Sequence, residues 1–226
     1  MAIPELAGGP YDVEYFFDPG CPFAWQTSVW MRRVAELEGA RIGWRFISLR
    51  FVNEDDADQP AELAEAQEVG LRFHRVCAAA RERFGNEAVG DLYRAWGERY
   101  WYDEGKGELL DRVAAAARRI DAGLVLEDVG LPADLLAASD DSSWDDLIRA
   151  ETDEAFARTG PDVGTPIITY LPSGNTLFGP VISEVPDDDQ AVELYEALRT
   201  MADFDGFSEL KRTERPPLDL PLFKAA

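Results

Sequence analysis

Two cysteines in 226 residues are too few for a disulfide framework, and with a single histidine they leave no Cys/His metal cluster. No run is long and apolar enough to span a membrane. Met1 to Pro10 has neither a basic region nor an apolar centre, so no signal peptide is expected and the chain reads as soluble and cytoplasmic. Basic residues are scarce, 22 against 44 acidic ones, for a formal charge of −22. That balance opposes binding to nucleic acid or to an anionic membrane. The acids fall in small groups, Glu54-Asp55-Asp56, Asp140-Asp141 and Asp187-Asp188-Asp189, without the spacing of a calcium loop. They read as solvated faces and helix starts.

What the chain does have is a cysteine where a strand turns into a helix. Tyr11 to Phe17 is rich in aromatic and β-branched residues and reads as a central strand. Phe23, Thr27, Trp30, Met31, Val34 and Leu37 recur at helical spacing, which predicts an amphipathic helix from Pro22 to about Glu38. Between them Pro19-Gly20 makes a turn, Cys21 falls at the N-cap and Pro22 at the first helical position. Unpaired amides and the positive end of the helix dipole would surround the Cys21 sulfur. Such positions lower a cysteine pKa from about 8.5 into the range of roughly 3.5 to 7.5, so a reactive thiolate is expected. The alternative is an inert buried cysteine. Position 24 is alanine, giving C-x-x-A, so no disulfide can close within this motif and any resolving thiol must come from another molecule.

Gly39 closes the helix, and Arg41 to Leu49 alternates as a second strand, parallel to the first through a right-handed crossover. Asn53, at its mouth, is either a ligand-holding amide or a turn residue. From about Asp56 to Thr159 strand-like runs vanish. The pattern predicts helices over Ala61 to Val69 running or kinking at Gly70 into Leu71 to Phe84, then Glu87 to Tyr102, Leu109 to Ala122, Pro132 to Ala138 and Trp144 to Arg158. Ser142 or Ser143 is expected to cap the last of these. His74 and Cys77 share a helix face, as a ligand or catalytic pair or as ordinary packing, and Tyr93, Trp96 and Tyr100 form a stripe suited to a core or to a lid. Gly164 to Leu171 and Thr176 to Ile182 read as a hairpin, in which Pro166 is odd for a central strand unless Thr165-Pro166 is cis. A helix follows from Asp187 or Asp188, then a Pro-rich tail expected to lie extended along the surface or against a neighbouring subunit. The expected divisions are a first half-domain over 10–55, a helical insertion over 56–159, a second half-domain over 160–212 and the tail over 213–226.

This order of segments resembles the DsbA-like branch of the thioredoxin superfamily, an α/β fold with a large all-helical insertion. Four motifs, D-P-G-C-P-F-A-W-Q-T-S-V-W at 18–30, D-V-G-T-P-I-I at 162–168, L-F-G-P-V-I-S at 177–183 and F-S-E-L-K-R-T at 207–213, resemble the actinobacterial mycothiol-dependent nitroreductase family. The resemblance implies that Cys21 is the nucleophile, that Thr165-Pro166 is a cis-proline loop presenting backbone to a bound thiol, and that Asn53 lies in an active-site loop. Pro22, Phe23, Ala24 and Trp25 would line the thiol and substrate pocket. It also implies mycothiol as a low-molecular-weight thiol co-substrate without metal or flavin, reduction of mixed disulfides or small nitroaromatic compounds, and a cytoplasmic homodimer. Many members carry C-P-x-C, and Ala24 departs from that form. Two rival functions are a thiol-cofactor-dependent isomerase or transferase of the 2-hydroxychromene-2-carboxylate isomerase type, and a non-catalytic binding module.

Overall fold

Val13–Phe17 (β1) is buried along its whole length, as its aromatic and β-branched side chains require of a central strand. The structure, a computed structural model, describes residues 3, 5–102 and 105–224. Strand β1 pairs in parallel with Ile42–Phe46 (β2) and antiparallel with Ile167–Tyr170 (β3). Asn175–Phe178 (β4) pairs antiparallel with β3, giving the order β2-β1-β3-β4. Alternation along β1 divides the core: Val13, Tyr15 and Phe17 face the larger apolar cluster, while Phe16 faces a smaller one with Ile47, Ala155 and Ile167.

Pro22–Glu38 (α1) follows β1 and ends on Gly39, whose φ of 70° is the left-handed conformation a helix C-cap favours. The short Leu49–Val52 (α2) follows β2. A helical block then runs through Ala61–Phe84 (α3), Asn86–Tyr100 (α4), Leu109–Arg119 (α5), Ala122–Asp128 (α6), 3-10 turns at Ala133–Asp140 and Ser142–Trp144, and Asp145–Thr159 (α7). After the hairpin, Asp188–Ala202 (α8) packs against α1, where Trp30 Nε1 donates to the Ala191 carbonyl at 3.0 Å. This is the thioredoxin-like sheet with a large helical insertion that the resemblance implies.

Several boundaries differ from the sequence reading. Of the two alternatives at Gly70 the helix takes the unbroken one, with Gly70 buried against Asp18 and Pro19 inside α3. The helix expected to run to Ala122 stops at Arg119, and Asp121 caps the separate helix α6 by accepting from Gly123 and Leu124. Pro132 precedes a 3-10 turn, so it is no first helical residue. Neither Ser142 nor Ser143 caps α7: Asp141 accepts from the Ser143 amide and starts a 3-10 turn that leads into it. The second hairpin strand ends at Phe178, short of Ile182, because Gly179 turns at φ 96°. The tail is not merely superficial. Leu218, Leu220 and Leu222 are buried, and Pro221–Phe223 forms a further 3-10 turn; residues 225 and 226 lie outside the described residues.

Candidate active site

The Asp18-Pro19-Gly20 turn delivers Cys21 to the N-cap of α1, with Pro22 at its first position. The Cys21 amide donates to the Asp18 carbonyl at 3.1 Å, which closes the turn. Cys21 Sγ then accepts from the Ala24 amide at 3.5 Å, as a capping side chain does, and donates to the Thr165 carbonyl at 3.5 Å. Thr165 is fixed in turn: its Oγ1 donates to the Phe16 carbonyl at 3.0 Å, and its bond to Pro166 is cis. Three segments far apart in sequence thus meet on one sulfur: the end of β1, the start of α1 and the loop before β3.

The surroundings of the sulfur are aromatic and tight. Trp25 is buried and set edge-on to Tyr93, with the exposed Tyr102 beyond it. Helix α4 comes so close that a Cβ on Gly97 would lie 2.1 Å from the Trp25 ring, and Trp96 Nε1 donates to the Pro19 carbonyl at 3.3 Å. Tyr15 Oη donates to the Ala24 carbonyl at 2.7 Å. Trp25 Nε1 is buried with no hydrogen-bond partner among the described residues. Phe23, within the motif, is half-buried, with the Arg215 guanidinium 5.8 Å from its ring centre.

The expected low pKa is not met in this conformation. Burial, which leaves Cys21 8% exposed, pushes its thiol up to about 12; the Ala24 and Phe23 amides pull it down, and the charge of Asp18 pushes it up. The amides are those the N-cap argument invokes, but loss of water outweighs them, and Cys21 is held as a thiol until its surroundings open or are polarised. Asp18 itself is a residue the sequence reading missed. Fully buried, it accepts from the Gly20 amide at 2.7 Å and the Leu49 amide at 2.7 Å, and burial raises its carboxyl to about 7 against those two bonds. It ties the cysteine turn to the start of α2.

Asn53 is the C-cap of α2, its amide N–H bonded to the Leu49 carbonyl, and its side chain has no hydrogen-bond partner among the described residues. His74 and Cys77 are buried in α3. His74 Nε2 contacts the Phe17 carbonyl at 3.1 Å and its ring packs edge-on to Phe17, while burial lowers its pKa to about 3 and raises that of Cys77. The two pack as core residues. Among the described residues no group of three or more His, Cys, Asp or Glu side chains is placed to hold a metal ion, and no helix is long and apolar enough to cross a membrane.

A family model described as "Rv2466c-like: Mycothiol-dependent nitroreductase Rv2466c" matches residues 20–212. The protein Rv2286c of Mycobacterium tuberculosis (strain ATCC 25618 / H37Rv) is 35% identical over 205 residues, 90% of this chain and 83% of that protein. Among solved structures, the probable DsbA oxidoreductase SCO1869 from Streptomyces coelicolor superposes with a TM-score of 0.51 at 16% identity, over 91% of this chain and 94% of its own, a likeness of fold.

Proposed function

The chain belongs to the Rv2466c-like family of mycothiol-dependent nitroreductases, and from that premise we propose a thiol-dependent oxidoreductase that works through the single sulfur of Cys21. The observation that carries this reading is the seat of that sulfur, between the Ala24 amide and the Thr165 carbonyl at 3.5 Å each. When an acceptor disulfide enters, the Cys21 proton passes to solvent and the thiolate attacks one sulfur of the acceptor. The S–S bond breaks, and the second sulfur leaves with the electron pair. The amides of Phe23 and Ala24 stabilise the charge on Cys21, and the Thr165 backbone holds the incoming chain beside it.

When bound, mycothiol supplies the thiol that returns Cys21 to its free form. The residues present suit a polar small thiol: Trp25 Nε1 is a buried donor without a partner among the described residues, and the side-chain amide of Asn53 has no hydrogen-bond partner among them either. With Ala24 in place of a second cysteine, the cycle is a monothiol one. Its acceptors are mixed disulfides or small nitroaromatic compounds, and the protein acts as a cytoplasmic homodimer.

Intact mass of the Cys77→Ala protein after exposure to oxidised mycothiol tests this. The expected result is one adduct, on Cys21, removed by reduced mycothiol, with turnover falling by orders of magnitude in Cys21→Ser. If Cys21→Ser keeps most of its turnover, the sulfur is a bystander and thiol-assisted isomerisation replaces the redox reading. No turnover with any thiol leaves a binding module.

A further inference from the structure

The segment after Thr213 lies outside the residues matched by the family model, yet it comes to Phe23. Ser183 Oγ donates to the Pro216 carbonyl at 2.8 Å, and the Asp219 amide donates to the Ser183 carbonyl at 2.7 Å. Buried Leu218 and Leu220 continue the anchorage. Gln26 Nε2, on α1 one turn after Phe23, reaches the same Ser183 carbonyl at 3.4 Å. The chain at residue 215 is therefore fixed on its C-terminal side, and the Arg215 guanidinium lies 5.8 Å from the Phe23 ring centre, within cation–π range.

Most arginines here are tied to carboxylates, as Arg33 is to Asp188, Arg75 to Asp145, Arg99 to Asp128 and Arg149 to Glu54. Arg215 is exposed and has no carboxylate partner among the described residues, although the chain carries 44 acids. A guanidinium resting on a ring uses its face, and its in-plane N–H groups stay free for a carboxylate. In a molecule of formal charge −22 this is a cation over the ring of Phe23, which lies two residues after Cys21 in sequence.

We propose that Arg215, over the Phe23 ring, is a specificity-determining residue that selects acceptors carrying a carboxylate on an aromatic or similarly flat group. The proposal rests on Cys21 being the reactive thiol. Two aryl disulfides serve as probes: the dianionic 5,5′-dithiobis(2-nitrobenzoate) and the neutral 2,2′-dithiodipyridine. With either one, the Cys21 thiolate bonds to one aryl sulfur, the S–S bond breaks, and one arylthiolate leaves with the electron pair and is read by its absorbance. The ratio of the anionic to the neutral rate constant is expected to fall about 5- to 10-fold in Arg215→Ala, to recover in Arg215→Lys, and to lose its dependence on residue 215 in roughly 0.5 M salt. An unchanged ratio overturns the proposal. If neither probe labels Cys21, the thiol reading fails and the proposal is judged by binding alone. Quenching of tryptophan fluorescence should then show 2-nitrobenzoate, but not nitrobenzene, bound more weakly by Arg215→Ala, and equal effects on both overturn it.

Discussion

Asp18 accepts two backbone N–H bonds inside the fold and has no cation among its hydrogen-bond partners. Its carboxyl sits near 7 when folded, against 3.8 when free, so between those values the unfolded chain gives up the proton first. Stability that is full below about pH 4 is lost as pH rises through about 7, a few kcal/mol at about 1.4 per pKa unit. His74 works in the opposite sense: lowered to about 3, it costs stability as pH falls below about 6.5. Asparagine cannot ionise, so the urea midpoint of Asp18→Asn should improve relative to the parent between about pH 5 and pH 8; a gap that ignores pH rejects the assignment. The same substitution removes a charge that holds the Cys21 thiol up. Cys21 alkylation in the resting protein should therefore have a midpoint above the ordinary value of about 8.5, and Asp18→Asn should move it down. Cys21 was legible because Pro-Gly-Cys-Pro marks a helix start. Asp18 was not, because Asp-Pro-Gly reads as an exposed turn, and what buries it arrives from Leu49 and Gly70, which local pattern does not connect to it.

Two helices are each held in place by a single residue, α4 against the cysteine motif and α7 against β2. Helix α4 seats on the cysteine motif only because Gly97 has no side chain: in Gly97→Ala the new methyl would overlap the Trp25 ring, which Tyr93 confines. Overpacking of this kind costs about 1–3 kcal/mol, and urea unfolding should show it, whereas alanine at the open Gly164 should cost far less. Helix α7 is fastened to β2 by Glu151, which accepts from the Phe46 amide at 2.8 Å and pairs with Arg45 at 3.1 Å and Arg81 at 2.9 Å while wholly buried. Glu151→Gln keeps the shape but takes from Arg81 its carboxylate partner and leaves Arg45 to Glu14, which it holds at 2.6 Å. A loss of about 3–5 kcal/mol is expected, and a loss below 1 would mean that water already satisfies Arg81. Pattern located α1 and α8 because their caps are local, Cys21 with Pro22 and Asp187 accepting from Gln190. It ran α5 on to Ala122, gave no helix over Ala122–Asp128 and read the 3-10 turn at Ala133–Asp140 as an ordinary helix, since apolar spacing does not record where a capping aspartate such as Asp121 or Asp141 restarts the backbone.

Across the whole molecule, the chain leaves the sheet after β2, builds the helical block, and returns for β3, so the two parts need ties beyond the connecting segments. The tail is one of them. Its amide at Asp219 bonds to Ser183, next to the hairpin, while its amide at Leu222 donates to the Trp101 carbonyl at 3.2 Å and its Lys224 carbonyl accepts from Arg112 at 2.6 Å. Leu218, Leu220 and Leu222 alternate inward, a period of two that was present in the sequence as L-x-L-x-L but was outweighed there by the surrounding prolines. Truncating the fully buried Leu220 to alanine should cost about 2–5 kcal/mol by the cavity it leaves. The same change tests whether the tail also shields the sulfur, because a loosened segment would release Phe23 and the start of α1 together with it. Well below the unfolding midpoint, Leu220→Ala should raise amide exchange over 216–224 and the rate of Cys21 alkylation in parallel. Faster exchange with an unchanged alkylation rate would instead make the tail a structural tie that does not govern access to Cys21.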